Sequence, residues 1–159
     1  MSGKIHQIYI VHSKREQPKE VTTAYLEADR GIKGDRYHKN ASARVENGRS
    51  APENQISLID ADSIDDFLAS NPTKKHLSYG DFRRSIITRG VDLNDLVGKD
   101  FFVGDIRCRG TELCEPCSFL AETVHSAVLP SLVNRGGLRA IVLEDGFITS
   151  GDKVISANH

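Results

Sequence analysis

A mainly β fold, a twisted sheet closed or partly closed into a β-barrel with a few short helices, is what this 159-residue sequence predicts. Three observations carry that reading. Short segments that alternate apolar and polar residues recur along the chain, bounded by Gly, Asp and Asn, and a period of two is that of side chains on a half-buried strand. Turn pairs such as Gly104-Asp105 and Asp145-Gly146 separate several of these segments, with the chemistry that tight hairpins use. Helical spacing of apolar residues is confined to few stretches, so helices are the minority.

Taken in order, Ile5 to Val11 predicts a strand, and Val21, Thr23 and Tyr25 alternate toward one face ahead of a glycine turn at Gly31 and Gly34. Residues 39–54 are polar and aperiodic, with Asn, Ser, Gly and Pro, and predict a mobile loop of the kind that closes over ligands. Gln55 to Ile59 predicts a strand. A helix follows, with Ile64, Phe67 and Leu68 at helical spacing, Asp60 or Asp62 as N-cap, and Asn71-Pro72 as its end. Ser85 to Thr88 predicts a strand, and Leu93, Leu96 and Val97 suit one helical turn stopped by Gly98. Phe101 to Val103 and Ile106 to Cys108 flank Gly104-Asp105 as a hairpin. A second helix is expected from Cys117 to about Val128, before Pro130. Leu138, Ala140 and Val142, then Phe147 and Thr149, then Val154 alternate again, with Asp145-Gly146 as a hairpin signal and Ser150-Gly151-Asp152 as a further turn.

Length is that of one domain, expected to span 1–159. The 21 basic and 22 acidic residues balance, so no general field attracts nucleic acid, and any anion site must be local. Apolar runs fall short of the roughly 20 residues that cross a bilayer, so no membrane partner is expected. Three cysteines cannot all pair, and no charged and apolar leader opens the chain, so a reducing cytoplasm is the expected compartment.

The chemistry concentrates at Cys114-Glu115-Pro116-Cys117. Proline ahead of a helix-compatible stretch is a start signal, which sets Cys117 in a first turn, where the macrodipole favours thiolate. Burial as a small hydrophobe is the competing reading for Cys117 and Cys114, and the favoured one for Cys108 on its strand face. Gly31 to His38 gathers Lys33, Gly34, Asp35, Arg36 and His38 into what looks like an anion cradle. Glycines let backbone approach a ligand, and Arg offers a planar fork of donors. Spacing rules out a P-loop or a dinucleotide fingerprint. Arg83-Arg84 ahead of Ser85 and Thr88, and Arg135-Gly136-Gly137-Leu138-Arg139, add two more basic clusters. Each alone also reads as a solvated charged face.

Four motifs together resemble a stand-alone MOSC domain, the module named from the C-terminal region of molybdenum cofactor sulfurases. They are GIKGDRYH at 31–38, RRSIITRGVDLNDLVGKDFFVGD at 83–105, CEPCSFL at 114–120 and GGLRAIVLEDGFITSGDKV at 136–154. The resemblance implies a β-barrel, binding of the molybdenum cofactor (molybdopterin), and a cysteine that ligates molybdenum or carries sulfur. By position Cys117 is that cysteine, and Arg36, His38, Arg83 and Arg84 line a pocket for the pterin phosphate. Thiolate suits molybdenum as a soft ligand. The cofactor-binding set extends to Lys33, Gly34, Asp35, Ser85, Thr88, Cys114 and Arg139. Ser85 departs from the family pattern, in which asparagine usually follows the arginine pair.

Three functions follow as expectations. The first is a cofactor-dependent reductase of N-hydroxylated compounds, with Cys117 as metal ligand. The second is a sulfur-carrier or cofactor-delivery module working through a Cys117 persulfide, for which Cys114 is a resolving or relaying thiol. The third is a zinc site built from Cys114, Cys117 and His38 or His125, which lacks a second cysteine pair. His6, His12, His76 and His159 read as surface or strand positions. No pyridoxal phosphate domain fits in this chain, so sulfur or cofactor would come from partner proteins. With no flavin fingerprint and no four-cysteine iron–sulfur set, electrons would come from separate proteins too.

Overall fold

A computed structural model of the chain describes residues 2–73, 75–115 and 135–157. Its strands are β1 (Ser2–Ile10), β2 (Lys19–Val21), β3 (Thr23–Glu27), β4 (Gly31–Ile32), β5 (Ile56–Asp60), β6 (Ile86–Arg89), β7 (Asp100–Val103), β8 (Ile106–Leu113), β9 (Leu138–Val142), β10 (Gly146–Thr149) and β11 (Lys153–Ser156). Two α-helices are described, α1 (Arg36–Glu46) and α2 (Ala61–Ser70), with 3-10 turns at Tyr79–Phe82 and Leu93–Leu96.

Among the described residues the sheet closes as a seven-stranded barrel, in the order β1-β11-β7-β8-β9-β5-β6 and back to β1. The long strand β1 makes closure possible. Its N-terminal end pairs with β11, its C-terminal end with β2, and β6 runs along its other edge. Among the described strands only β5 and β6 pair in parallel, joined through α2, as a parallel pair needs a crossover rather than a hairpin. A small antiparallel sheet, β10-β3-β4, stands beside the barrel.

Alternation decides the inside. Phe101, Val103, Ile106, Cys108, Leu138, Ala140, Val142 and Val154 point into one apolar core. Strands β5 and β6 are covered on both faces. Ile56, Leu58 and Ile86 join the barrel core, while Ile59 and Ile87 pack with Ile64, Phe67 and Phe82 under α2. That is why neither strand shows a strict alternation of apolar and polar residues.

Two expectations are corrected. Residues 39–54 are not all loop, because α1 takes 36–46 and only the stretch after it lacks regular structure. The helix begins at Asp35, whose carboxylate accepts from the Tyr37 N–H, and it buries fully only Ala41, so no apolar period marks it. Asp145-Gly146 does not close a hairpin between its flanking strands. Strand β9 pairs with β8 and β5, whereas β10 crosses to pair with β3. The face shared by Thr23 and Tyr25 is the outer one, with Ala24 and Leu26 buried behind it. The expected helix at 117–128 lies outside the described residues.

Candidate functional site

The pocket that matters is built where β1, β5 and β6 begin or end. Tyr9, Val11, Pro18, Asp35, Arg36, Tyr37, Ser57, Arg83, Arg84 and Ser85 line it. Arg36 and the adjacent pair Arg83-Arg84, far apart in sequence, thus meet at one surface. Its enclosed part, at about 10 Å³, has room for one water at most, so any larger group would occupy the open mouth.

Each arginine is aimed by a different device. Arg36 opens α1, where Asp35 fixes the chain through two bonds. Asp35 Oδ1 accepts from Val11 N at 2.9 Å and Oδ2 from Tyr37 N at 3.1 Å. The Arg36 guanidinium lies 4.8 Å over the Tyr37 ring and donates to Tyr37 Oη at 3.1 Å, which leaves the phenol proton for another acceptor. Arg83 ends the 3-10 turn at 79–82 in a left-handed conformation, φ +65°. Its guanidinium donates to the carbonyls of Glu16 at 2.8 Å and Lys14 at 2.7 Å. Arg84 donates through Nε to Gly136 O at 2.9 Å and through Nη2 to Glu115 O at 3.4 Å. Burial, and next the charge of Arg36, hold the Arg83 pKa below the ordinary guanidinium range. Burial and a neighbouring like charge both disfavour the charged form of a base.

Ser85 and Ser57 lock the floor. Ser85 Oγ donates to Ser57 O at 2.9 Å and accepts from Ser57 N at 3.1 Å, while Ser85 N reaches Ser57 Oγ at 3.2 Å. The serine hydroxyl is thereby committed to backbone.

The remaining sequence candidates fall elsewhere. His38 projects from α1 to Glu27, with Nε2 2.7 Å from Oε1, and does not line the pocket. Lys33 is exposed, and Gly34 makes the turn before α1 at φ +93°. Thr88 is fully buried and donates to Asp60 Oδ1 at 3.0 Å, a contact that ties β6 to the start of α2. Cys114 is buried at the end of β8. Burial pushes its thiol up, with Arg84 and Arg139 opposing that rise. Arg139 on β9 also pairs with Glu112 at 2.9 Å. Cys108 lies in the core, its thiol driven up by burial. Cys117 and His125 lie outside the described residues. Tyr9, Tyr37 and Ser57 also line the pocket, beyond the residues that the motifs single out. Tyr37 carries a signal, its place inside GDRYH, whereas Tyr9 and Ser57 reach the pocket through strand register alone.

A second cavity of about 170 Å³ is lined by Asp60, Ser63, Val91, Asp92, Leu93, Asn94, Arg135 and Gly137. Among the described residues, no helix is long and apolar enough to cross a membrane.

A closed β-barrel with Arg36, Arg83 and Arg84 at one surface is the class of fold and site that the chain presents. The MOSC domain model matches residues 35–155, and the chain belongs to that family, which is linked to the molybdenum cofactor. Solved structures share the fold. YuaD from Bacillus subtilis is 19% identical with a TM-score of 0.77, over 97% of this chain and 94% of that one. YiiM from Geobacillus stearothermophilus is 13% identical with a TM-score of 0.71, over 98% of this chain and 75% of that one. YiiM from Escherichia coli is 14% identical with a TM-score of 0.71, over 100% and 71%. No curated protein matches the sequence.

Proposed function

We propose that this chain binds the molybdenum cofactor by its anionic end in the arginine pocket and serves as a reductase of N-hydroxylated compounds. The observation that carries the reading is the meeting of Arg36, Arg83 and Arg84 around one mouth. The donor set fits the group, because guanidinium forks match phosphate oxygens and the Tyr37 phenol has a proton to donate. When bound, the cofactor supplies a two-electron redox centre.

The chain's own residues do the rest. Arg36 and Arg84 give charge-assisted hydrogen bonds to the phosphate, and Tyr37 keeps the Arg36 guanidinium in place from beneath. Arg84 also bonds the carbonyls of Glu115 and Gly136, so one side chain links the anion mouth to both ends of the stretch that contains Cys117. Cys117 is the proposed protein ligand to the metal, a soft thiolate donor. Cofactor-supplying or sulfur-donating proteins, and separate electron donors, are the partners this reading requires.

The test is reduction of an N-hydroxylated amidine by cofactor-loaded protein with a chemical reductant as electron source. Turnover that disappears in Cys117→Ser supports the reading. Equal turnover in that variant removes Cys117 from the chemistry, and absence of turnover in the loaded wild type favours a sulfur-carrier or cofactor-delivery role.

A further inference from the structure

Residues 12–17, between β1 and β2, are exposed along their whole length, yet their backbone is held at several points. Just before this stretch, Val11 O accepts from Arg36 N at 2.8 Å, and within it His12 O accepts from Lys39 Nζ at 3.3 Å. The strongest hold is the two-pronged one. Arg83 Nη2 and Nη1 reach Lys14 O and Glu16 O at 2.7 and 2.8 Å, a span that suits a planar fork rather than a point charge.

The conformation of Arg83 supports this role. A capping box between Ser78 and Asp81 winds the 3-10 turn, and Arg83 closes it at φ +65°, ψ +27°, a region non-glycine residues seldom occupy. The turn thereby sends the guanidinium back across to the 12–18 rim. The same rim supplies Pro18 to the pocket that Arg36 and Arg84 line.

We propose that Arg83 is a positioning residue, which straps the 14–16 rim onto the arginine pocket and is tightened when an anion is held there by Arg36 and Arg84. All three arginines line the same pocket, and the Arg36 charge acts on Arg83, so an anion held by Arg36 and Arg84 offsets that repulsion, and strap and anion favour one another. Such coupling is reciprocal: whatever the anion adds to the strap, the strap adds to anion affinity. The inference rests on the reading of the pocket as an anion site, and it gives Arg83 a different task from its two neighbours.

Trypsin reads the strap directly, since Lys14 and Arg15 lie in the exposed rim and cleavage follows the population of the open segment. Fragment masses identify cuts after these two residues, and inorganic pyrophosphate is the anion probe. In the wild type, saturating pyrophosphate slows rim cleavage. Arg83→Met raises rim cleavage without anion by about tenfold, the factor of one charge-assisted hydrogen bond, and abolishes protection by pyrophosphate. Arg83→Lys behaves similarly, because an ammonium cannot span both carbonyls, and it serves if the Met variant does not fold. Arg36→Met loses pyrophosphate binding, measured by calorimetry, and with it any slowing of rim cleavage by pyrophosphate. Rim cleavage at the wild-type rate in both Arg83 variants overturns the strap. Pyrophosphate that binds the wild type but does not alter its rim cleavage overturns the coupling. Failure of pyrophosphate to bind the wild type overturns the anion reading instead, while the anion-free cleavage still judges the strap.

Discussion

Arg84 lines the pocket and also bonds two carbonyls outside it, Gly136 O and Glu115 O. Replacement by Met is expected to weaken anion binding by roughly 1.5 to 3 kcal/mol per charged hydrogen bond lost, read by calorimetry with pyrophosphate. Ser85 makes a different prediction. Its hydroxyl bonds the backbone of Ser57 in both directions, so Ser85→Ala is expected to cost about 1 to 3 kcal/mol in denaturant unfolding, the penalty of a buried polar group left short of a partner. The basic clusters at 36 and 83–84 are legible in the sequence because arginines beside glycines and turns are conspicuous. That His38 would turn to Glu27 is not legible, since it depends on how α1 lies against β3. Register likewise hides Tyr9 and Ser57, whose side chains reach the pocket from strands that are distant in sequence.

Elements show the same division. Strands with one buried face, β7, β8, β9 and β11, are legible because alternation is a direct image of the pleat. Helix α1 is not, because it buries fully only Ala41 and its polar surface reads as loop. The signal available was its cap. Asp35 accepts two backbone N–H bonds, and Asp35→Ala is expected to destabilise the protein by about 1 to 2 kcal/mol and to displace Arg36. The β7–β8 hairpin carries a pH dependence. Arg109 and then Arg107 hold the Asp100 carboxyl below the usual carboxylate range, through contacts of 2.7 and 2.8 Å. A folded pKa below the unfolded one contributes stability above the ordinary range near about 3.9, and that contribution fades as pH falls through the lowered value. Wild type is expected to lose stability more steeply than Asp100→Asn below about pH 4 in acid unfolding. The difference is small, because both arginines are about half exposed.

For the molecule as a whole, barrel closure follows from β1 being long enough to serve two partners along one edge, and from a backbone that bends where glycine permits. Gly137 precedes β9 at φ +111°, where a Cβ would collide with the Leu58 carbonyl oxygen. Gly137→Ala is therefore expected to destabilise the barrel severely, by several kcal/mol as for other strained and overpacked sites, seen as a loss of the cooperative unfolding transition at room temperature. A barrel was legible from the number and spacing of strands, but the exchange of β10 to a second sheet was not, because Asp145-Gly146 specifies a reversal without specifying a partner. The central claim is that the arginine pocket and Cys117 together hold the molybdenum cofactor. Its most direct test is molybdenum and pterin analysis of protein purified from a host that makes the cofactor, with Arg36→Met, Arg84→Met and Cys117→Ser beside it. Near-stoichiometric molybdenum and pterin in the wild type, with pterin lost in the arginine variants and metal lost in Cys117→Ser, is the predicted result; wild-type levels of both in all three variants would contradict it.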